Sequence, residues 1–194
     1  YDQEGYLTLV NFKLNNKPVY ASEPKAFCDH QARHYLTKPS TVNIRLQPTP
    51  DESGRFWQVD SLNRLLEDNQ KWIKNPSINT SNPIGLMIMT GCGMGYHIQT
   101  LVENTDIYTL CLVDPHKDSF YASLHTIDWE PIFRHFMPQG RTLRIYVGLE
   151  PSKVVGDLRA LTDRIGLYNL STSFIYRHYN SVEENSFTDR YMKE

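Results

Sequence analysis

The stretch Thr90-Gly91-Cys92-Gly93-Met94-Gly95-Tyr96-His97 sets glycines at alternate positions, directly after a continuous apolar run and directly before a helical pattern. A strand-to-helix turn of this composition can hold an anion or a polar group. Gly91 permits a sharp exit from the strand, Gly93 lets a ligand approach backbone that carries no Cβ, and Gly95 lets the helix pack closely. Free N–H groups at the helix start complete the cradle. Asp114 follows Gly93 by 21 residues, at the end of a second apolar run. A carboxylate there can accept both hydrogen bonds of a ribose diol. The predicted ligand contacts are therefore Gly91, Gly93, Gly95 and Asp114, with Tyr96 stacking on a base and His97 serving as acid, base or phosphate donor. The same residues also suit a fold with no ligand: glycines for tight strand-to-helix packing, Tyr96 in the core, and His97 as a capping or packing histidine.

The glycine spacing is Gly-x-Gly-x-Gly rather than Gly-x-Gly-x-x-Gly. It leans toward the methyltransferase-like form of a nucleoside site and away from the form that grips a pyrophosphate. Thr90, however, stands where S-adenosylmethionine-dependent methyltransferases usually place an acid. Elsewhere the candidates thin out. His30 and His34 lie at i, i+4, but the residues between them are Gln31, Ala32 and Arg33, so no His-Glu-x-x-His pattern forms and no metal is assigned there. His116, His125 and His135 are spaced too widely for a helical metal pair. There is no Gly-x-Ser-x-Gly elbow, and no cysteine stands beside an evident histidine base, so no catalytic residue is assigned.

Positioning these residues takes a specific set of elements. Ile84–Thr90 and Ile107–Val113 read as strands buried on both faces. Tyr96 to Asn104 reads as the helix between them. Asp114-Pro115 opens a helix through Leu124, and Trp129 to Phe136 adds a helical turn or two. Leu143–Val147 is a third strand, Ser152 caps an amphipathic helix carrying Val154, Leu158, Leu161 and Ile165, and Leu170–Tyr176 is a candidate later strand. Val182 to Lys193 reads as a last helix. Strand alternating with helix predicts a parallel sheet with right-handed crossovers.

Upstream the rhythm differs. Gly5–Phe12 reads as extended, Asn15-Asn16 as a tight turn, and Lys17–Tyr20 as a returning strand. Ser22 is the expected cap of a helix from about Glu23 to Leu36, with Pro24 in its first turn and Phe27, Gln31, His34 and Tyr35 on one stripe. Thr41–Leu46 alternates as a half-buried strand. Asp60 is expected to cap a further helix, and the polar stretch 75–83 marks a boundary. The expected fold is thus α/β: a small N-terminal α+β subdomain, residues 1–80, then a Rossmann-like three-layer domain with a parallel sheet, residues 81–194. Tyr35, Phe56 and Trp57 are expected either to pack the first onto the second or to expose an aromatic patch.

Composition narrows the class. The chain has 194 residues, 20 Lys+Arg against 22 Asp+Glu and a net charge of −2, so no basic field favours nucleic acid. With 12% aromatic residues it is not of disordered composition. No run approaches the ~20 apolar residues of a membrane span, and no signal-like start is present, so no membrane is expected and a cytoplasmic location is. Cys28, Cys92 and Cys111 are an odd set without a CxxC pair, against both a disulfide frame and a cysteine-based zinc site. A start at Tyr1 without Met, and an end inside a helical pattern, lead us to expect a piece of a longer protein.

Gly91-Cys92-Gly93-Met94-Gly95-Tyr96-His97-Ile98, then Leu112-Val113-Asp114-Pro115 and Phe120-Tyr121-Ala122-Ser123-Leu124, resembles the N-terminal domain of the Maf (motility accessory factor) family, the flagellin glycosyltransferases of polarly flagellated bacteria. The family pattern is Gly-x-Gly-x-Gly-Tyr-His-Leu followed by Glu-Pro-x-x-x-x-Phe; here Asp114 stands in place of the Glu. The opening Asn15-Asn16-Lys17-Pro18-Val19-Tyr20, with Ser22 and Pro24, also resembles the family's first segment. The resemblance implies a second, downstream Rossmann-like domain, similar to the archaeal enzyme that pyrophosphorylates hydroxymethyl-dihydropterin, as the seat of transfer chemistry. It also implies O-linked transfer of a nonulosonic acid from a CMP-sugar to flagellin Ser/Thr. Flagellin and the downstream domain are then the expected partners, and a nucleotide or CMP-sugar the expected ligand of the glycine loop. Two alternatives remain: an S-adenosylmethionine-dependent methyltransferase-like enzyme, and a non-catalytic interaction module with an empty crevice.

Overall fold

The computed structural model describes residues 5, 7–11, 17–20, 23–43, 60–61, 63–64, 83–165 and 172–179. Strands β1 (Val10–Asn11) and β2 (Lys17–Pro18) form a two-stranded antiparallel ribbon, with Val10 opposite Pro18 and the Val19 N–H donating to the Leu9 carbonyl. The ribbon delivers Tyr20 into the interior, where it is 3% exposed. Helix α1 (Pro24–Thr37) follows, with Pro24 in the first turn, where its missing N–H has no helical partner to lose. Strand β3 (Ser40–Asn43) comes next.

The larger sheet is built from β3 together with β4 (Ile84–Thr90), β5 (Ile107–Asp114), β6 (Thr142–Val147) and β7 (Thr172–Arg177), in the spatial order β3-β7-β4-β5-β6. The last four are mutually parallel, and β3 runs antiparallel to β7 at the edge. Helices α2 (Tyr96–Asn104), α3 (Lys117–Thr126), α4 (Glu130–Phe136) and α5 (Pro151–Ile165) fill the connections. Strand order turns back at β4: β5 and β6 lie to one side, β7 to the other.

Period-2 alternation divides the apolar strands between two layers. Met87, Met89, Leu110, Leu112, Phe174 and Tyr176 pack with Ala32 and Tyr35 of α1, Ile98 and Leu101 of α2, and Ile132 and Phe136 of α4. Leu86, Ile88, Cys111 and Val113 pack on the other face with Val154, Val155, Leu158 and Leu161 of α5. Burial on both faces explains why β4 and β5 read as unbroken apolar runs.

The chain is α/β with a mostly parallel sheet between helical layers, as expected. Three details differ. The α1 cap position is Glu23, with no side-chain hydrogen bond to the helix end, and Ser22 lies outside the described residues. The buried stripe of α1 is Pro24, Cys28, Ala32 and Tyr35; Phe27 and His34 are exposed. The i, i+4, i+8, i+11 set takes the core because Ala32 and Cys28 are small enough to sit against α2. Finally, the segment assigned to an N-terminal subdomain supplies β3 to the main sheet and α1 to its helical layer. An edge strand left without a partner is a liability, and pairing β3 onto β7 covers that edge. Tyr35 does pack onto the sheet, edge to face on Tyr176 at 5.1 Å. The turn at Asn15-Asn16, residues 44–46, Phe56, Trp57, the boundary at 75–82 and the expected final helix lie outside the described residues. Asp60, Ser61, Asn63 and Arg64 are helical.

Leu110 is fully buried in the central layer. Leu110→Ala is expected to lower unfolding free energy by roughly 2–5 kcal/mol in a denaturant titration. Met137→Ala, at a site 78% exposed, is expected to change it by less than about 0.5 kcal/mol.

Candidate functional site

The glycine loop leaves β4 at the carboxyl edge of the sheet, beside the point where the strand order turns back. In open α/β sheets that switch point is where a crevice forms. The loop is tied at both flanks. The Gly91 N–H donates to the Val113 carbonyl at 2.9 Å, and the His178 N–H donates to the Thr90 carbonyl at 2.9 Å, which extends the β4–β7 pairing past the strand ends. Gly95 has φ +83° and stands at the cap position of α2. A Cβ there would come within 2.8 Å of Ile127 Cδ1 and 3.1 Å of Ser123 Cβ. Close approach at Gly95 thus serves the end of α3 and the turn after it.

Asp114 closes the loop from below. Its Oδ2 accepts the Cys92 N–H at 2.6 Å and its Oδ1 accepts the His116 N–H at 2.7 Å. The residue is 1% exposed. Burial pushes its carboxyl above the ordinary aspartate range, and the two backbone N–H donors oppose that rise. The carboxylate expected to meet a ribose therefore already has one donor on each oxygen from its own loop.

The space against Gly93 holds three side chains from two distant segments. A Cβ on Gly93, whose φ is +50°, would overlap the hydroxyl oxygens of Tyr20 and Tyr179 and Nε2 of His178. The Met94 N–H donates to the Tyr20 hydroxyl oxygen at 3.0 Å. That oxygen lies 3.0 Å from His178 Nε2 and 3.1 Å from the Tyr179 hydroxyl. So the loop N–H that points into the cradle meets a tyrosine, and a ligand taking its place must first move that ring.

His97 is fully buried, in the first turn of α2. Its Nε2 lies 3.1 Å from the Gly91 carbonyl oxygen, so it ties the helix back to the loop. Its ring stacks on His178 at 3.8 Å between centroids and on Tyr176 at 5.2 Å. Burial holds both histidines in the neutral form: His97 lies well below the ordinary histidine range, and His178 is lowered to about 3. Tyr96 is half-buried against Tyr20, Cys28 and Met94. Cys28, fully buried on α1, has its sulfur 4.0 Å from His178 Nε2, and burial pushes its thiol up to about 12. Cys92, inside the loop, is buried, and so is Thr90, whose hydroxyl oxygen has no hydrogen-bond partner.

The structure thus gathers Gly91, Gly93, Gly95, His97 and Asp114 at one place, with Tyr96 at its margin. It adds Tyr20, Cys28, Gln31, Tyr176, His178 and Tyr179, which motif reading did not find. The two partners Tyr20 and His178 are 158 residues apart in the chain. A trace did exist: Tyr176 and His178 sit at strand period on β7 and its extension, and Cys28 and Gln31 sit one turn apart on α1. His30 and His34 are exposed, away from this cluster.

Asp114→Asn keeps the side chain's shape but replaces one acceptor oxygen by an NH2 group, which then opposes a backbone N–H. It is expected to cost about 1–3 kcal/mol in a chemical denaturation experiment, as for a buried donor left unpaired. Gly93→Ala is expected to cost more than Asp114→Asn, because it combines a left-handed φ with overlap on three side chains, and Tyr20→Phe should relieve only part of that loss.

Comparison with known proteins gives a consistent picture. A family model described as the glycosyltransferase Maf N-terminal domain matches residues 6–194. No curated protein matches the chain. A solved structure, the Maf glycosyltransferase from Magnetospirillum magneticum AMB-1, is similar in fold, with a TM-score of 0.65 and 19% identity over 96% of this chain. The chain spans about 30% of that protein's length. Among the described residues no helix is long and apolar enough to cross a membrane. With a family model covering nearly all of its residues, this chain belongs to the Maf glycosyltransferases, in which it corresponds to the N-terminal domain.

Proposed function

We propose that this chain is the N-terminal module of a transferase that moves a nonulosonic acid from a CMP-activated donor onto Ser or Thr of flagellin in the cytoplasm. In this scheme the sugar-transfer step sits on a further domain of a longer protein. Family membership supports the glycosyltransferase class. Donor, sugar and acceptor rest on the likeness of the glycine loop and of Asp114-Pro115 to the family pattern.

One observation carries the division of labour. Tyr20, His178 and Tyr179 occupy the space against Gly93, and both Asp114 oxygens serve loop N–H groups. The groups that would grip a nucleotide are engaged within the fold, so the loop acts here as the rigid joint between β4, β7 and α2. A second reading has its own support, since the loop lies at the switch point of the strand order, where nucleotide crevices form. It requires the Tyr20 and Tyr179 rings to swing out when a ligand arrives.

A thermal-shift panel of CMP, a CMP-nonulosonate and S-adenosylmethionine on this chain separates the two. The joint reading expects no shift. A ligand present at about 100 times its dissociation constant would add roughly 2.7 kcal/mol of stability, and such a shift with CMP, lost on Asp114→Asn, would return the donor to the glycine loop. The transfer itself is read by mass spectrometry. The full-length protein, incubated with flagellin and CMP-pseudaminic or CMP-legionaminic acid, should add one sugar mass per modified Ser or Thr. Flagellin left unmodified by either donor would sink the assignment of sugar and acceptor.

A further inference from the structure

We propose that Cys28, His97 and His178 form a buried transition-metal site that takes a zinc-class divalent cation. A ring nitrogen of each histidine and the sulfur of Cys28 lie within 4.8 Å of one another, and all three residues are buried. A tetrahedral zinc with bonds of about 2.0–2.3 Å needs its ligand atoms some 3.3–3.8 Å apart, and its two imidazoles must turn out of their 3.8 Å stack so that both in-plane lone pairs meet the metal.

Tautomers support the assignment more strongly than proximity does. Gln31 donates its amide N–H to the His178 carbonyl at 3.2 Å, which fixes which end of its side chain is oxygen. That oxygen accepts from the Tyr176 hydroxyl at 2.7 Å and lies 2.8 Å from His178 Nδ1. An amide oxygen only accepts, so Nδ1 of His178 carries the hydrogen and Nε2 carries the lone pair. Nε2 is the atom that faces the Cys28 sulfur at 4.0 Å. The same reasoning holds for His97. Its Nε2 meets the Gly91 carbonyl oxygen, another pure acceptor, so the lone pair falls to Nδ1. That Nδ1 is buried with no hydrogen-bond partner, in a residue with no exposed surface. A buried nitrogen lone pair without a donor is costly unless something electrophilic meets it.

Each ring has one nitrogen donating to a carbonyl-type oxygen, as metal-ligating histidines usually do; the other nitrogen of His97 has no partner, while that of His178 also faces the Tyr20 hydroxyl, which a metal would displace. The donor set of one thiolate and two neutral imidazoles suits zinc over magnesium or calcium, which prefer oxygen. Metal binding replaces the thiol hydrogen of Cys28, which leaves to solvent as a proton; nothing is oxidised or reduced. The Tyr20 hydroxyl, 3.0 Å from His178 Nε2, is an oxygen beside this cluster. His30 and His34, exposed on the outer side of the same helix, take no part.

His178 Nε2 also lies against Gly93, but the test reads a metal and not a nucleotide, so its failure is distinguishable from that of the proposed function. The full chain, stripped with a chelator, is titrated with cobalt(II) chloride and read by absorption. One equivalent should produce a thiolate-to-cobalt charge-transfer band together with intense tetrahedral visible bands, and zinc chloride should bleach both at a one-to-one ratio. Cys28→Ser should remove the charge-transfer band. His178→Ala should weaken zinc binding by at least roughly 10- to 100-fold, the scale that loss of an orienting partner alone already brings. His34→Ala should change neither. Absence of the thiolate band in the unmodified chain would overturn the site whatever the variants do. So would a band that persists in Cys28→Ser, or zinc held without any thiolate contact.

Discussion

Two backbone N–H groups, those of Cys92 and His116, end on the two oxygens of one buried carboxylate, and that pair of hydrogen bonds holds the strand-to-helix joint in shape. Asp114 is the last residue of β5. Its carbonyl oxygen also accepts the Gly148 N–H, just past β6. One residue thus anchors the turns leaving three neighbouring parallel strands. Charge-assisted bonds from backbone N–H to carboxylate are among the stronger ones available to a fold. Of the loop N–H groups, those of Gly91 and Gly95 bond to backbone carbonyls and that of Met94 to Tyr20, so between Gly91 and Gly95 the carboxylate serves Cys92.

With the loop held, the crevice at the switch point is narrow enough for side chains to fill it. Tyr20 arrives from the ribbon β1–β2, Cys28 and Gln31 from α1, and His178 and Tyr179 from the end of β7. Each tyrosine and histidine brings ring area to the core and a polar tip that must find a partner. Tyr20 accepts from Met94, Tyr176 donates to Gln31, and Gln31 completes His178. Only the His97 Nδ1 in this group is left over. Neutral imidazoles fit such a place and imidazolium ions do not, which is why burial drives both histidines away from their charged form.

A glycine layout that suits a nucleotide also suits a phenol ring, because both need backbone with no Cβ in the way. The acid after the second strand suits a ribose diol and suits two peptide N–H groups equally well. Family membership and the closed cradle are compatible for that reason: the motif specifies a joint geometry, and what lies against it is a separate matter.

Local chemistry in the sequence determined a great deal. Unbroken apolar runs gave β4 and β5, the glycine triplet gave their joint to α2, and the helix at Tyr96–Asn104 follows from its own periodicity with Asn104 near its end. These features are decided within a few residues of one another, where spacing is informative. Of the expected α1 stripe Tyr35 is buried, while Phe27 and His34 are exposed because Cys28 and Ala32 take the inward face, a choice settled only by the partner helix. The order of strands, the recruitment of β3 to the sheet edge and the meeting of Tyr20 and Cys28 with His178 were decided only by the tertiary structure. Contacts across 150 or more residues depend on which side of β4 the chain chooses for β7, and that choice is made by the packing of whole layers rather than by any local pattern.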